Sequence, residues 1–124
     1  MKTPIWNDYK VLSTGSGYKL EKWGKVTLLR PDPQVIWKAD KPLDSHKNID
    51  AKYIRTENKS GEWRYNTKLP ENWNIRWQNL VFKVQPMNFK HTGLFPEQAV
   101  NWQLMIDLIK KANRPVKVLN LFAY

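Results

Sequence analysis

The chain contains no cysteine, which excludes disulfides, thiolate zinc sites and cysteine nucleophiles together. Histidine is almost as scarce: His46 and His91 are the only two, and two imidazoles form no metal cluster without carboxylate help. Asp44-Ser45-His46 reads as a polar loop rather than a triad fragment. The acidic stretch over 40–50 has neither the ligand spacing nor the glycine of a calcium loop, so no metal is expected. Glycine occurs five times in 124 residues, and no complete Gly-rich phosphate loop is among those positions. Long apolar runs are missing as well. Nothing approaches the roughly 20 residues of a membrane span, and the apolar run near the start is too short for a secretory signal. No membrane partner is therefore expected, and the reading is cytoplasmic.

Negative charge is also in short supply. Eleven Asp and Glu face 21 Lys and Arg, a net charge of +10, so the expected partner is anionic, with nucleic acid ahead of a membrane surface. The excess is spread along the chain rather than held in a tail: residues 1–62 carry 12 basic and 8 acidic groups, residues 63–124 carry 9 and 3. Seven Trp, five Tyr and four Phe make a heavy aromatic load, costly to expose unless packed or used for stacking. A chain of this length forms one small domain with a single core.

Short alternating segments separated by Pro and Gly dominate the first 90 residues and predict strands. Tyr9 to Leu12 and Tyr18 to Trp23 flank the turn Ser13–Gly17, and Val26 to Arg30 stops at Pro31. Lys52 to Thr56 and Glu62 to Asn66 straddle Asn58-Lys59-Ser60-Gly61 as a hairpin would. Trp73, Ile75 and Trp77 share one face of a strand, Leu80, Phe82 and Val84 one face of the next, with Gln78-Asn79 as the turn. Asparagine is the residue expected to accept a positive φ there. Segment 38–50 predicts a loop. Beyond residue 90 the period changes: Pro96 and Glu97 open a helix over 96–112, and Lys110, Lys111 and Arg114 close it in line with its dipole. Its apolar residues, among them Leu104, Met105, Leu108 and Ile109, sweep more than half the circumference, so it expects cover on more than one side. Val116 to Tyr124 reads as a near-continuous apolar strand of the kind buried in a parallel sheet. Its edge over 116–123 is also a candidate for self-association. An edge strand of the β domain is the other reading of the same run.

Residues 52–90 interleave eight Lys and Arg with Tyr53, Trp63, Tyr65, Trp73, Trp77, Phe82 and Phe89. Cations that meet phosphate and aromatic faces that stack on unpaired bases suit RNA. By alternation Trp73 and Trp77 belong to a core, while Arg64, Arg76 and Lys83 face outward and are the candidate nucleic-acid contacts. A solvated basic sheet face carries the same pattern.

The stretch Phe89-Lys90-His91-Thr92-Gly93-Leu94-Phe95-Pro96-Glu97-Gln98, then a helix, then Val118-Leu119-Asn120-Leu121-Phe122-Ala123-Tyr124, resembles bacterial class I S-adenosylmethionine-dependent methyltransferases related to the large-subunit ribosomal RNA cytosine methyltransferases. Arg30-Pro31-Asp32-Pro33-Gln34 and Gly61-Glu62-Trp63 resemble the N-terminal portion of a shorter subgroup. His91 stands where relatives often have Lys, and Glu97 where they often have Asp. The resemblance implies an α+β chain: a mainly antiparallel β module over 1–88, barrel-like or a twisted sheet, then over 89–124 one helix and the first strand of a truncated Rossmann-like methyltransferase domain. It implies S-adenosylmethionine as cofactor of the parent protein, with Thr92, Gly93, Phe95 and Gln98 on the cofactor side. The catalytic residues would lie further downstream, leaving this chain inactive alone. The same four residues also fit a plain turn, a core anchor and a solvent-facing first helical turn. A basic nucleic-acid-binding β module without catalysis is the second functional reading.

Overall fold

The computed structural model describes residues 5–58 and 60–121. The chain divides into two compact units, one over Ile5–Phe95 and one that begins at Pro96. The described residues of the first form seven strands: β1 (Tyr9–Gly15), β2 (Tyr18–Trp23), β3 (Val26–Pro31), β4 (Ala51–Arg55), β5 (Gly61–Tyr65), β6 (Trp73–Trp77) and β7 (Leu80–Val84). Strands β1 to β5 form one sheet in sequence order, and β6 with β7 forms a second. All pairings are antiparallel except β3 with β4, which run parallel. The architecture is α+β with a mostly antiparallel sheet, as the alternating pattern predicts.

Period-two alternation gives the large sheet two apolar faces. Opposed residues in register share a face, so Trp23, Val26, Leu28 and Ala51 lie together, and they pack with Ile75 and Val84 of the small sheet in one buried cluster. Trp73 and Phe82 border this cluster, and Trp73 Nε1 donates to the carbonyl of Trp23 at 2.9 Å. Burying each of these large side chains contributes about 1.5–3 kcal/mol. The opposite face holds a smaller cluster of Leu20, Leu29 and Ile49, edged by Tyr18 and Leu43. Leu43 and Ile49 come from the crossover between β3 and β4, which was expected to be loop and contains only a 3₁₀ turn at Leu43–Ser45.

Two backbone positions explain local choices. A Cβ on Gly61 would overlap the ring of Tyr53, so glycine there lets that ring lie across the edge strand. In the β6–β7 turn the left-handed residue is Gln78, at φ 53°, and not Asn79. Gln78 is held by its backbone N–H, which donates to Asn7 Oδ1 at 3.0 Å. Tertiary contact, not intrinsic preference, decides that conformation.

The second unit has a 3₁₀ turn at Pro96–Gln98 followed by helix α1 (Ala99–Ala112). Asn113 ends it at φ 47°, its N–H donating to the carbonyl of Lys110, which is the left-handed cap that asparagine accepts. The strand expected over Val116 to Tyr124 is not formed in its described part: residues 115–120 have no regular structure. A strand exists by its ladder, and no strand of the described chain pairs with this segment. Residues 122–124, the end of that expected strand, and Lys59, in an expected turn, lie outside the described residues. No helix among the described residues is long and apolar enough to cross a membrane.

Candidate functional site

The inner face of the large sheet changes character along its length. At one end it is the apolar cluster around Trp23, and at the other it carries charge. Lys19, Glu21 and Trp23 alternate onto the same face of β2, and Lys19 stands directly opposite Arg30 of β3. Ala51, opposite Leu28, sets the phase of β4, so Tyr53 and Arg55 share this face too. Glu21 is completely buried. Arg30 grips it with both arms, Nε to Oε2 at 2.6 Å and Nη2 to Oε1 at 2.7 Å, and the Tyr9 hydroxyl donates to Oε1 at 2.7 Å. The guanidinium also lies 5.1 Å from the centre of a Trp23 ring. Two-armed pairing is the geometry that makes a buried carboxylate tolerable.

Arg30 reaches a third partner. Its Nη1 donates to the Lys90 carbonyl at 2.9 Å, and Lys90 Nζ returns to the Pro31 carbonyl at 3.2 Å, which ties the segment after β7 to the end of β3. Lys19 bridges Glu21 at 3.6 Å and Asp32 at 3.5 Å. Burial pushes the Lys90 ammonium below its ordinary range; Asp32 opposes this, while the charges of Arg55, Arg30 and Lys19 add to it. For Asp32 burial pushes the carboxyl up, but the Gln34 N–H and the Lys19 and Lys90 charges outweigh it and hold the pKa below the ordinary value. Four cations (Lys19, Arg30, Arg55, Lys90) thus meet two carboxylates (Glu21, Asp32), an excess of two positive charges. Sequence reading missed this cluster. Its signal was the phase of β2: with Trp23 inward, Glu21 and Lys19 must be inward as well.

The expected cofactor-side residues are not in one environment. Thr92 is buried at 1% exposure, and its hydroxyl has no hydrogen-bond partner among the described residues; its carbonyl accepts from the Gln85 N–H. Gly93 has φ 87°, a conformation that favours glycine. Phe95 is exposed, with His91 edge-on at 5.7 Å. Gln98 belongs to the other unit, where its Oε1 accepts from Asn101 Nδ2 at 2.9 Å.

Arg76 and Lys83 share the outer face of the β6–β7 hairpin, Lys83 opposite Asn74 and Arg76 opposite Val81. Both are exposed. Arg64 stands on β5 in the other sheet, exposed and paired with Glu62 at 3.1 Å. A separate cavity of about 300 Å³ is lined by Tyr18, Leu29, Leu43, Asp44 and Lys52 among others, and its Asp44–Lys52 pair is closed at 3.4 Å. Among the described residues no cluster of three His, Asp or Glu could hold a metal ion.

The chain is similar to a SAM-dependent methyltransferase. The solved structure of that enzyme from Agrobacterium tumefaciens matches with a TM-score of 0.85 and 34% sequence identity, over 98% of this chain. The match spans only 39% of the other chain. No family model and no curated protein matches.

Proposed function

We propose that the chain forms the N-terminal portion of an S-adenosylmethionine-dependent methyltransferase that acts on RNA. The likeness to the Agrobacterium enzyme, 34% identity over 98% of this chain, carries the methyltransferase part. Because the chain spans 39% of that relative, the activity belongs in this reading to a longer protein. The net charge of +10 and the exposed Arg64, Arg76 and Lys83 support RNA as the methyl acceptor, since cations on an open face attract a polyphosphate chain without selecting its sequence.

S-adenosylmethionine brings an electrophilic methyl group on a sulfonium. In the β unit the unpartnered Thr92 hydroxyl, the left-handed Gly93 and the exposed Phe95 ring fit wall contacts to such a cofactor. None of the three lines the cavity at Tyr18, Leu29 and Leu43. Gln98 stands at the start of α1 in the other unit. The self-contained cores of Ile5–Phe95 favour the second reading, a basic binding module without catalysis.

Two measurements test the proposal. Titration of the chain with S-adenosylmethionine is expected to show no saturable binding below millimolar concentration, where contacts are worth about 4 kcal/mol; micromolar binding would place the cofactor elsewhere. The full-length protein, given S-adenosylmethionine labelled in its methyl group, is expected to put label into ribonuclease-sensitive material. Label that resists ribonuclease but yields to protease would make the acceptor a protein.

A further inference from the structure

Seven tryptophans are spread along the chain, and Trp37 alone among them is exposed, at 52%; the others are buried or half-buried. An indole in water is costly unless it meets something. Its position is nonetheless fixed. In the crossover between β3 and β4 the carbonyls of Val35 and Trp37 accept from the N–H groups of Gly17 and Ser16, at 2.9 and 2.7 Å, and the Ala39 N–H donates to Ser16 Oγ at 3.3 Å. A Cβ on Gly15 would overlap Ala39, so glycine there lets the crossover lie against the end of β1. The side chain is tethered as well: Trp37 Nε1 donates to the Thr14 carbonyl and to Thr14 Oγ1, at 3.3 and 3.2 Å. That tether uses one edge of the indole. No other ring stacks on Trp37 and no cation lies over it among the described residues.

A second observation lies at the same place. Trp37 lines a cavity of about 530 Å³ with Thr14, Lys38, Asp40, Lys41 and His46 among others, a volume within the roughly 300–1,000 Å³ of small-molecule sites. Lys38, Lys41 and Asp40 give the lining an excess of one positive charge, and none of the three forms an ion pair among the described residues. An immobilised ring bordered by uncommitted lysines suits a nucleotide: stacking needs only the π-face that every base has, and lysine meets phosphate as a point charge. A neutral sugar also packs on an indole, but it gives the two ammonium groups nothing to bind.

We propose that this cavity takes one nucleotide of an unpaired strand, its base stacked on Trp37 and its phosphate met by Lys38 and Lys41. The site rests on the RNA reading for the strand that supplies the nucleotide. Its role differs from that of Arg64, Arg76 and Lys83, which attract phosphate without touching a base. A base inside a duplex is already stacked on its neighbours, so the ring favours single strands over paired ones and accepts any sequence.

The test uses the full chain and two probes. A labelled eight-nucleotide oligouridylate reads the strand. Trp37→Ala should weaken its binding at least about fivefold, and Trp37→Phe, which keeps a ring, should lose less. The salt slope should fall by about 1.4 in the Lys38→Gln, Lys41→Gln double variant, at about 0.7 per lost contact. It should hold in the Lys110→Gln, Lys111→Gln double variant, which removes the same charge from α1. All four lysines are exposed, so these variants fold even where Trp37→Ala does not. Adenosine monophosphate reads the single nucleotide: the Trp37 indole N–H signal in a nitrogen-15 spectrum, identified by its loss in Trp37→Phe, should shift saturably with it and less with inorganic phosphate. Equal oligouridylate affinity in wild type and Trp37→Ala overturns the site and leaves the RNA reading on Arg64, Arg76 and Lys83 standing. Equal slopes in the two lysine variants, or an indole signal that ignores both probes, also overturn it. An indole signal that follows a neutral linear oligosaccharide and not the nucleotide overturns it in favour of a sugar. A saturable shift with adenosine monophosphate, with no oligouridylate binding by wild type, upholds the nucleotide site and removes RNA as its source.

Discussion

Ile75 and Leu108 are both aliphatic residues on the apolar side of an amphipathic element, yet Ile75 is fully buried and Leu108 keeps 57% of its surface exposed. Ile75 lies in the cluster of Trp23, Leu28 and Val84, residues drawn from three other strands. Leu108 shares its exposure with Leu104, Met105 and Ile109 on the same helix, and with Val118, Leu119 and Leu121 beyond it. Apolar composition is similar in the two regions, and what differs is whether distant segments arrive to cover it. The cohesion of the chain is therefore concentrated in Ile5–Phe95, and the helix keeps an apolar face in solvent.

This contrast sets the largest expected effect. Ile75→Ala should cost about 2–5 kcal/mol, because it removes packed methylenes and leaves a void. Leu108→Ala should stay within about 0.5 kcal/mol, since alanine favours helix and little burial is lost. Urea unfolding of both variants of the chain reads the difference. Equal losses would show that the helix contributes to the same cooperative unit and would dissolve the contrast.

Polar residues repeat it on a smaller scale. Glu21 is completely buried under Arg30 and Tyr9, whereas Asp107 on α1 is exposed and accepts from Gln103 Nε2 at 2.8 Å. Glu21→Gln leaves the Arg30 guanidinium buried with a neutral partner and should cost about 3 kcal/mol, the lower part of the range for a broken buried pair. Asp107→Asn should change stability by less than about 0.5 kcal/mol. Thermal melts of the two variants side by side decide this, and a mild Glu21→Gln would mean that water replaces the lost charge.

The strands most legible in the sequence were those whose partners are local. Trp73–Trp77 and Leu80–Val84 alternate cleanly, and the hairpin pairs them in the register that alternation implies. The helix was legible from its Pro96 start, its basic end and its asparagine stop. Val116 to Leu121 was not, because an apolar run states a preference for burial and says nothing of whether a neighbour is present to pair with. Glu21 was missed for a related reason: a carboxylate in a strand reads as solvent-facing until Arg30, nine residues away, is known to share its face. Arg64, Arg76 and Lys83 were placed outward by counting alternate positions and are exposed, but which cations lie near one another depends on the register between strands and on where the segment through Lys90 crosses them.

Asp32 lies between the buried and the exposed acids, with 22% of its side chain accessible, and gives the smallest effect. Its carboxyl is held below its ordinary value of 3.8 by the Gln34 N–H and by Lys19 and Lys90, against the opposing influence of burial. Between the folded value and 3.8 the unfolded chain binds more protons, so stability rises with pH across that window. The contribution is complete above about pH 4 and is lost as pH falls through the folded value. Asp32→Asn should therefore cost less than about 1 kcal/mol at pH 7, the scale of a part-exposed ion pair. The deficit should shrink to nothing in strong acid. Lys90 titrates in a different range: its pKa is lowered from 10.5 chiefly by burial, so its charge opposes folding at neutral pH and stability rises as pH climbs from its folded value toward 10.5. Lys90 therefore stays out of the acid limb, and because the other Asp and Glu titrate in both proteins, the difference between wild type and Asp32→Asn there reports Asp32. Urea midpoints of wild type and Asp32→Asn from pH 2 to 7 should converge at the acid end, and curves that stay parallel throughout would show that Asp32 acts through loop geometry and not through its charge.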